Sequence, residues 1–239
     1  MERGKIILIE GTDSSGKATQ TELLLNKFEE KGIPCKTISF PDYNTPTGRI
    51  IGQCYLGKKD LGQELGWEGD YSWLGNADKA DPKVISLFYA ADRKAAVSKI
   101  EKTVNSGEHL IIDRWVESNM GHQGGKAKTL EEREEIINYI ESLEYDLLKL
   151  PKPDLTIFLY MPTEVAFELR KKRDGGNKNL DGHETNLNHL KNAEEAYLQL
   201  ANLYNWTKID CVENGKIRSR QNIAEEVYFV VKNLFKIKS

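Results

Sequence analysis

Four consecutive apolar residues, Ile6 to Ile9, are followed closely by the segment GTDSSGK at residues 11–17. An apolar run that ends near a glycine predicts a buried strand, and the periodic apolar residues after the segment predict a helix. The backbone N–H groups of such a loop can surround a polyphosphate at the positive end of the helix, and Lys17 adds a mobile ammonium. The sequence therefore predicts a phosphate-binding loop made of Gly11, Thr12, Asp13, Ser14, Ser15, Gly16, Lys17, Ala18 and Thr19.

The position after Lys17 departs from the usual pattern of such loops. It is Ala18, where a Ser or Thr hydroxyl normally helps to hold Mg²⁺. Thr19 comes one residue later and, at about 100° per residue on a helix, points elsewhere. A metal ion must then depend on water, on nucleotide phosphates and on acids, for which Asp13 and Asp113 are the candidates.

Short apolar runs alternate with longer stretches of helical periodicity along the chain. This alternation predicts an α/β fold in three layers, with a mostly parallel five-stranded sheet covered by helices on both faces. The 239 residues are expected to form one domain, residues 1–239. The predicted strands are residues 6–10, 36–40, 110–113, 155–160 and 207–211, and the predicted helices are 19–31, 84–104, 130–148, 163–173, 187–204 and 219–235. Two segments interrupt the pattern and are long enough to be functional loops, residues 58–83 and 174–184.

Composition limits the possible partners. Lys and Arg total 34 against 37 Asp and Glu, and a net charge of −3 gives no general attraction to nucleic acid or to anionic lipid. No apolar run approaches the roughly 18 residues that a membrane span needs. The three cysteines are widely spaced and form no metal-binding or redox pattern. We therefore expect a cytoplasmic protein without nucleic-acid or membrane partners.

Aromatic residues in two segments are candidates for contact with a nucleotide. Tyr89 and Arg93 are four residues apart, which places both on one face of the predicted helix, with Phe88 beside them. Such a pair could stack on a base and bind a phosphate, although an aromatic and an arginine at this spacing are more often packed together structurally. Tyr43 lies in a proline-containing turn after the second strand, where a purely structural role is about as plausible.

The third predicted strand ends in an acid and an arginine. Asp113 and Arg114 would lie beside the phosphate-binding loop, because ligands bind at the carboxyl ends of parallel strands. The following segment predicts a helix with four polar side chains on one side. Several amide and hydroxyl groups near an aromatic ring are what recognition of a base edge requires. These four residues are Ser118, Asn119, His122 and Gln123.

Together, these segments resemble the thymidylate kinase family, whose members transfer a phosphoryl group from ATP to dTMP. The resemblance extends over essentially the whole chain, and its motifs occur in the family's order and spacing. It implies Mg²⁺ as cofactor, ATP and dTMP as substrates, and a homodimer. The implied catalytic residues are Lys17, Asp13, Arg114, Arg170 and Arg173. The implied dTMP-binding residues are Asp13, Tyr43, Tyr89, Phe88, Arg93, Arg114, Ser118, Asn119, His122 and Gln123.

By this resemblance, Arg93 and Arg114 hold the dTMP phosphate, and Asn119 and Gln123 bind the edge of thymine. Tyr89 stacks on the ring, unless a rotation of the helix gives that role to Phe88. His122 stands where the family has a tyrosine near the sugar. A smaller imidazole there predicts weaker exclusion of a ribose hydroxyl.

The basic run from Arg170 to Arg173, followed by a glycine-rich loop, resembles the family's lid, which we place at residues 170–184. Taken alone, four basic residues usually form a solvated surface. The phosphate-binding loop carries Ser14 and Ser15 and no arginine, so a cation for the transition state would have to come from elsewhere. We predict that Arg170 or Arg173 supplies it.

Other functions remain compatible with the same architecture. Another nucleotide kinase, acting on dUMP, dGMP or a deoxynucleoside, is the nearest alternative. A GTP-binding switch would need a guanine-reading Asn-Lys-x-Asp element, which the segment NKNL at residues 177–180 does not provide. A non-catalytic homologue is suggested only by Ala18.

Overall fold

The computed structural model describes residues 2–58, 61, 79–173 and 187–235, and the side chains of residues 170–173 and 234–235 lie outside this description. Its centre is a sheet of five parallel strands in the order β2-β3-β1-β4-β5. The strands are β1 (Ile6–Gly11), β2 (Cys35–Ser39), β3 (His109–Asp113), β4 (Leu155–Tyr160) and β5 (Thr207–Asp210).

Strand β1 occupies the middle of the sheet. It pairs with β3 on one side and β4 on the other, so that Ile7 lies opposite both Ile111 and Leu155. All four residues from Ile6 to Ile9 are fully buried. This burial on both faces explains why the strand is continuously apolar rather than alternating.

Helices cover both faces of the sheet, as predicted. One face packs against a core that includes Val97, Met120 and Ile136, and the other against a core that includes Leu24 and Val227. The three-layer α/β architecture is therefore confirmed. The helices are α1 (Lys17–Glu30), α2 (Pro46–Cys54), α3 (Pro82–Asn105), α4 (Val116–Gly124), α5 (Leu130–Glu141), α6 (Thr163–Arg173), α7 (Leu187–Leu203) and α8 (Arg220–Phe235).

The predicted boundaries agree with the structure within about two residues at most element ends, which is the normal uncertainty of such assignments. The prediction of one helix over residues 130–148 is wrong in part. Helix α5 ends at Glu141, and the chain continues as a π-helical segment, Ser142–Leu147. Helix α2 and a short hairpin, β6 (Val212–Glu213) with β7 (Lys216–Ile217), were not predicted.

Much of the predicted insertion at residues 58–83 and most of the predicted lid lie outside the described residues, so both remain predictions, as does the organisation of residues 1–239 as one domain. Among the helices that the structure describes, none combines the length and apolar character needed to cross a membrane.

Candidate active site

The phosphate-binding loop connects β1 to α1 and has the backbone conformation that its glycines allow. A side chain at Gly11 would come within 2.6 Å of the Leu159 backbone oxygen, so only glycine fits there. Gly16 has a φ of 91°, in the left-handed region that other residues rarely adopt. The loop therefore turns sharply into the N-terminus of α1, where backbone N–H groups are available to an anion.

Lys17, the first residue of α1, folds back over this loop. Its ammonium donates hydrogen bonds to the backbone oxygens of Gly11 at 2.9 Å and Thr12 at 3.1 Å. Burial and the nearby Arg114 lower the pKa of Lys17 to about 8, against the opposing effect of Asp13. The ammonium is therefore held by weak neutral acceptors that a phosphate could replace.

Asp13 and Arg114 form an ion pair at the edge of the loop. Arg114 Nη2 donates to Asp13 Oδ1 at 2.8 Å, and Arg114 Nη1 lies 3.1 Å from His122 Nε2. Because arginine can only donate, His122 Nε2 accepts this hydrogen bond. Burial alone would raise the pKa of Asp13, but the charges of Arg114 and Lys17 hold it well below its usual range.

Arg114 has a left-handed backbone, with a φ of 67°. This conformation is uncommon for a residue with a side chain, and such residues concentrate at functional sites. It occurs at the carboxyl end of β3, directly after Asp113. The strained turn thus lies where the topology predicts ligand binding.

Asp113 is the second acid proposed for a metal ion. Its Oδ1 is buried and has no hydrogen-bond partner among the described residues. Within that part of the chain, no group of three or more His, Cys, Asp or Glu side chains is arranged to hold a metal. Mg²⁺ in phosphoryl-transfer sites usually keeps several waters and takes only one or two carboxylates, so these residues fit an ion that is carried mainly by the nucleotide.

Glu10 is a central residue of the site that sequence analysis missed. Its carboxylate is fully buried and accepts hydrogen bonds from the Trp115 backbone N–H at 3.0 Å and from Ser118 Oγ at 2.8 Å. Tyr197 on α7 donates to the same carboxylate at 3.3 Å. Burial raises the pKa of Glu10, and Arg114 opposes this effect. Glu10 thereby joins β1 to α4 and α7 and positions Ser118.

A cavity of about 220 Å³ opens beside the phosphate-binding loop, and most of the predicted dTMP-binding residues line it. Tyr89 lines this cavity and Phe88 does not, which favours Tyr89 as the aromatic residue of the site. The predicted residues that line the cavity are Asp13, Tyr43, Tyr89, Arg93, Arg114, Ser118, Asn119, His122 and Gln123.

Arg93 is held by Glu144, a second residue that sequence analysis missed. Two of its guanidinium nitrogens donate to the Glu144 carboxylate at 2.6 Å each, and both side chains are buried. Asn119 Nδ2 donates to the same carboxylate at 3.0 Å. Glu144 belongs to the π-helical segment, a form of helix that often occurs at functional sites. The charge of Arg93 is therefore balanced within the protein.

Two further residues define the aromatic and amide side of the cavity. Gln123 Nε2 lies 3.5 Å from the Tyr55 hydroxyl, while its Oε1 is buried with no partner among the described residues. This leaves an amide oxygen available as an acceptor. The Tyr89 ring meets Tyr55 edge to face at a centroid distance of 6.1 Å, and the Arg93 guanidinium lies 5.6 Å from the Tyr89 ring centre.

The turn that carries Tyr43 is fixed to α3 by Asp92. The Asp92 carboxylate accepts hydrogen bonds from the Asp42 backbone N–H at 3.0 Å and from the Thr47 hydroxyl at 2.7 Å. Thr45 also donates to it and caps the N-terminus of α2. Tyr43 is thereby placed at the cavity, and the Lys58 ammonium lies 4.9 Å from its ring centre.

The predicted lid is described only at its beginning. Helix α6 extends to Arg173, in agreement with the predicted helix. The side chains of Arg170 and Arg173, and the loop at residues 174–184, lie outside the described residues. Their assignment to catalysis stays a prediction.

A parallel sheet with a glycine-containing phosphate loop, a lysine at the helix start and an adjacent base-sized cavity defines a P-loop phosphotransferase of the nucleoside monophosphate kinase class. A sequence model of the family described as "Thymidylate kinase" matches residues 9–65 and 71–223. The chain belongs to the thymidylate kinase family.

Individual relatives agree with this assignment. A thymidylate kinase of Prochlorococcus marinus (strain MIT 9301) is 31% identical over 223 residues, covering 92% of this chain and 93% of the relative. A probable thymidylate kinase of Saccharolobus solfataricus is 28% identical over 97% of this chain and 99% of its own. A match to thymidylate kinase of Dictyostelium discoideum, 29% identical, spans 70% of this chain and 62% of that protein.

A solved structure supports the fold independently. The structure of thymidylate kinase from Candida albicans superimposes with a TM-score of 0.70, covering 97% of this chain and 92% of the other at 24% sequence identity. At this level of identity, the likeness supports the shared architecture alone.

Proposed function

We propose that this protein phosphorylates dTMP to dTDP at the expense of ATP. The observation that carries the proposal is the cavity of about 220 Å³ beside the phosphate loop. It combines an aromatic ring, two side-chain amides and two arginines with Asp13 of the loop itself. These different groups suit the different parts of a nucleotide, namely its base, its sugar and its phosphate. The membership of the chain in the thymidylate kinase family fits the same substrate.

Within this cavity, we assign Tyr89 to stacking on thymine and the amides of Asn119 and Gln123 to its edge. The Oε1 of Gln123, which is buried and has no hydrogen-bond partner among the described residues, is an acceptor that suits the N3–H of a pyrimidine. We assign Arg93 and Arg114 to the phosphate of dTMP. Tyr43, Ser118 and His122 would lie toward the sugar.

On the ATP side, the loop from Gly11 to Thr19 would surround the phosphates. The Lys17 ammonium would exchange its two backbone acceptors for the oxygens of the transferred phosphoryl group. This interaction would strengthen as negative charge develops in the transition state. Asp13 holds Arg114 in position between the two substrates. We also propose that Arg170 or Arg173 closes over the transferring group, because the loop contains no arginine of its own.

Asp113 and Asp13 are the residues that would hold Mg²⁺, through water and the nucleotide phosphates. The ion, when bound, neutralises phosphate charge and aligns the oxygens of the reacting groups. Ala18 cannot contribute a hydroxyl, so we expect little affinity for Mg²⁺ without nucleotide.

We propose a cytoplasmic homodimer. Cys35, Cys54 and Cys211 are present as thiols rather than in disulfide bonds, as in reducing compartments. Helix α3 exposes Val84 and Leu87, at 42% and 49%, and their spacing places them on one face. An apolar face of this kind suits contact with a second copy of the chain.

The proposal is tested by ADP release from Mg-ATP with dTMP, dUMP, dGMP and thymidine as separate acceptors. We expect the highest kcat/KM with dTMP. A higher value with dUMP or dGMP would assign the protein to another nucleotide kinase activity. No ADP release with any acceptor would support a non-catalytic homologue.

A further inference from the structure

A second cavity, of about 400 Å³, lies at the opposite edge of the sheet from the candidate active site. Its wall includes Leu155, the first residue of β4, and Thr207, the first residue of β5. The phosphate-binding loop follows the other, carboxyl end of the parallel strands. The two cavities therefore do not belong to one site.

Glu117 supplies a buried acid to this second cavity. The residue is 7% exposed, and its Oε1 accepts a hydrogen bond from the Tyr145 hydroxyl at 2.7 Å. Its Oε2 is buried and makes no hydrogen bond to another described residue. Burying a carboxylate oxygen without a partner is costly, so the site favours a ligand that donates to it.

Aromatic rings form another part of the wall. Tyr204 and Trp206 are nearly parallel, with an interplanar angle of 19° and a centroid distance of 6.4 Å. The Tyr204 hydroxyl donates to Glu141 Oε2 at 2.7 Å. Tyr145 contributes a third ring beside Glu117. Such rings attract flat apolar groups and cations.

Lys152 shows that a cation is already accommodated at this wall. Its ammonium lies 4.9 Å from the Tyr145 ring centre and 3.5 Å from Glu141 Oε1. The Lys152 side chain is 65% exposed, and such pairs contribute little free energy, so a ligand could displace it. Binding of a cation would repeat an interaction that the protein makes with its own lysine.

The balance of charge in the cavity also favours a cation. Asp154 is paired with Arg3 and Lys5 and accepts the Ile6 backbone N–H, while Lys152 partly offsets Glu141. Glu117 has no cation within salt-bridge distance among the described residues. Burial raises its pKa to about 7, against the Tyr145 hydrogen bond, so Glu117 is mostly ionised at pH 8.

We propose that this cavity binds a small planar organic cation, an aromatic amidinium or guanidinium, whose N–H groups donate to Glu117 while its ring packs against Trp206 and Tyr204. An amidinium presents parallel N–H donors that match a carboxylate. This site is separate from the nucleotide-binding cavity and does not depend on the proposed kinase activity.

The test is calorimetric titration of the whole protein at pH 8 with benzamidine, which is cationic, and with benzamide, its neutral counterpart of the same shape. We expect benzamidine to bind at least about tenfold more tightly, since only the cation forms a charge-assisted pair. In a parallel NMR titration with benzamidine, the resonance of the Trp206 indole N–H should shift. This resonance is assigned by comparison with the Trp206→Phe variant.

We predict that three variants respectively weaken, strengthen and leave unchanged the binding of benzamidine. Glu117→Gln keeps the shape of the side chain but removes its charge, and should weaken benzamidine binding about tenfold or more. Lys152→Gln removes the competing ammonium and should strengthen it severalfold. Glu101→Gln, on an exposed face of α3, should leave binding unchanged.

Equal binding of benzamidine and benzamide, or no binding of either, would overturn the proposal. Unchanged affinity in Glu117→Gln would do the same, as would a Trp206 signal that does not move. If Glu117→Gln fails to fold, the Lys152→Gln variant alone tests the proposal. Unchanged or weaker benzamidine binding in that variant would contradict the proposal that the bound cation displaces the Lys152 ammonium.

Discussion

Arg93 donates two hydrogen bonds, each of 2.6 Å, from Nε and Nη2 to the two carboxylate oxygens of Glu144. The Arg93 side chain is 2% exposed and that of Glu144 is fully buried. Because Asn119 donates to the same carboxylate, one acid on a π-helical segment fixes two residues of the nucleotide-binding cavity. Glu144 is thus a positioning residue for the proposed dTMP site.

We predict that Glu144→Gln impairs both folding and dTMP binding. Loss of one partner from a buried ion pair leaves an uncompensated charge and costs about 3 kcal/mol or more of unfolding free energy. The KM for dTMP should rise about tenfold, with a smaller change in kcat, because Arg93 and Asn119 lose their fixed orientation. Urea unfolding and steady-state kinetics measure the two effects.

Glu135→Gln is the matched control for this change. Glu135 is 68% exposed and pairs only with Lys83 among the described residues, so its substitution should alter neither property measurably. An unchanged KM for dTMP in Glu144→Gln would show that the ion pair is structural alone.

The Lys17 ammonium should give the reaction a pH dependence. With a pKa of about 8 in the free protein, Lys17 is charged below pH 8 and loses its charge above it. The kcat/KM for ATP should therefore fall above pH 8, approaching about tenfold per pH unit. Steady-state rates between pH 6.5 and 9.5 measure this profile.

Two substitutions connect the profile to Lys17. Lys17→Met should lower kcat by about 10²-fold or more and abolish the step near pH 8. Lys17→Arg keeps a charge throughout this range, so its residual activity should show no step there. A wild-type step that persists in Lys17→Arg would belong to another group.

His122 should influence discrimination between deoxyribose and ribose. It lines the cavity and accepts a hydrogen bond from Arg114. A tyrosine is larger and should exclude a 2′-hydroxyl more strongly. In His122→Tyr, we expect a higher ratio of kcat/KM for dTMP over its ribose counterpart. His109→Gln, at the opposite end of β3, is the control, and an equal ratio in all three proteins would remove His122 from the sugar site.

Glu117 should make stability depend on pH. Its pKa is raised from 4.5 to about 7 on folding, so between these values the folded state keeps a proton that the unfolded state releases. Stability contributed by this group is therefore lost as the pH rises from 4.5 to 7. The Glu117→Gln variant lacks this titrating group and should not show this decrease in stability. The unfolding free energy of the variant minus that of the wild type should therefore increase by about 2 kcal/mol between pH 5 and pH 8. A difference that stays constant across this range would show that Glu117 does not titrate as described.

The parts of the fold that were predicted correctly depend on local patterns. The continuous apolar run of β1 and the glycines of the following loop specify a buried strand and a phosphate-binding turn. Helix α2 was missed because Pro46, Gly48 and Gly52 are typical of loops. Its N-terminus is instead stabilised by the cap of Thr45 and by Asp92, which lies 45 or more residues away in sequence.

The missed site residues depend on contacts between distant segments. Glu144 meets Arg93 across 51 residues, and it lies within a regular helical pattern that contains no signal of the π-helical segment. Glu10 reaches Ser118 across 108 residues. Its position at the end of an apolar strand, just before the phosphate loop, was the available signal. A buried acid there requires donors, and these could only be identified once the helices were placed.

The most direct test of the proposed function is transfer of the labelled γ-phosphoryl group of ATP to dTMP in a single turnover, with products separated by chromatography. We predict that the label appears in dTDP at a rate sufficient to account for steady-state turnover, and that Lys17→Met slows its appearance about 10²-fold or more. Label released only as inorganic phosphate, with no dTDP formed, would contradict the assignment of the cavity as a dTMP site.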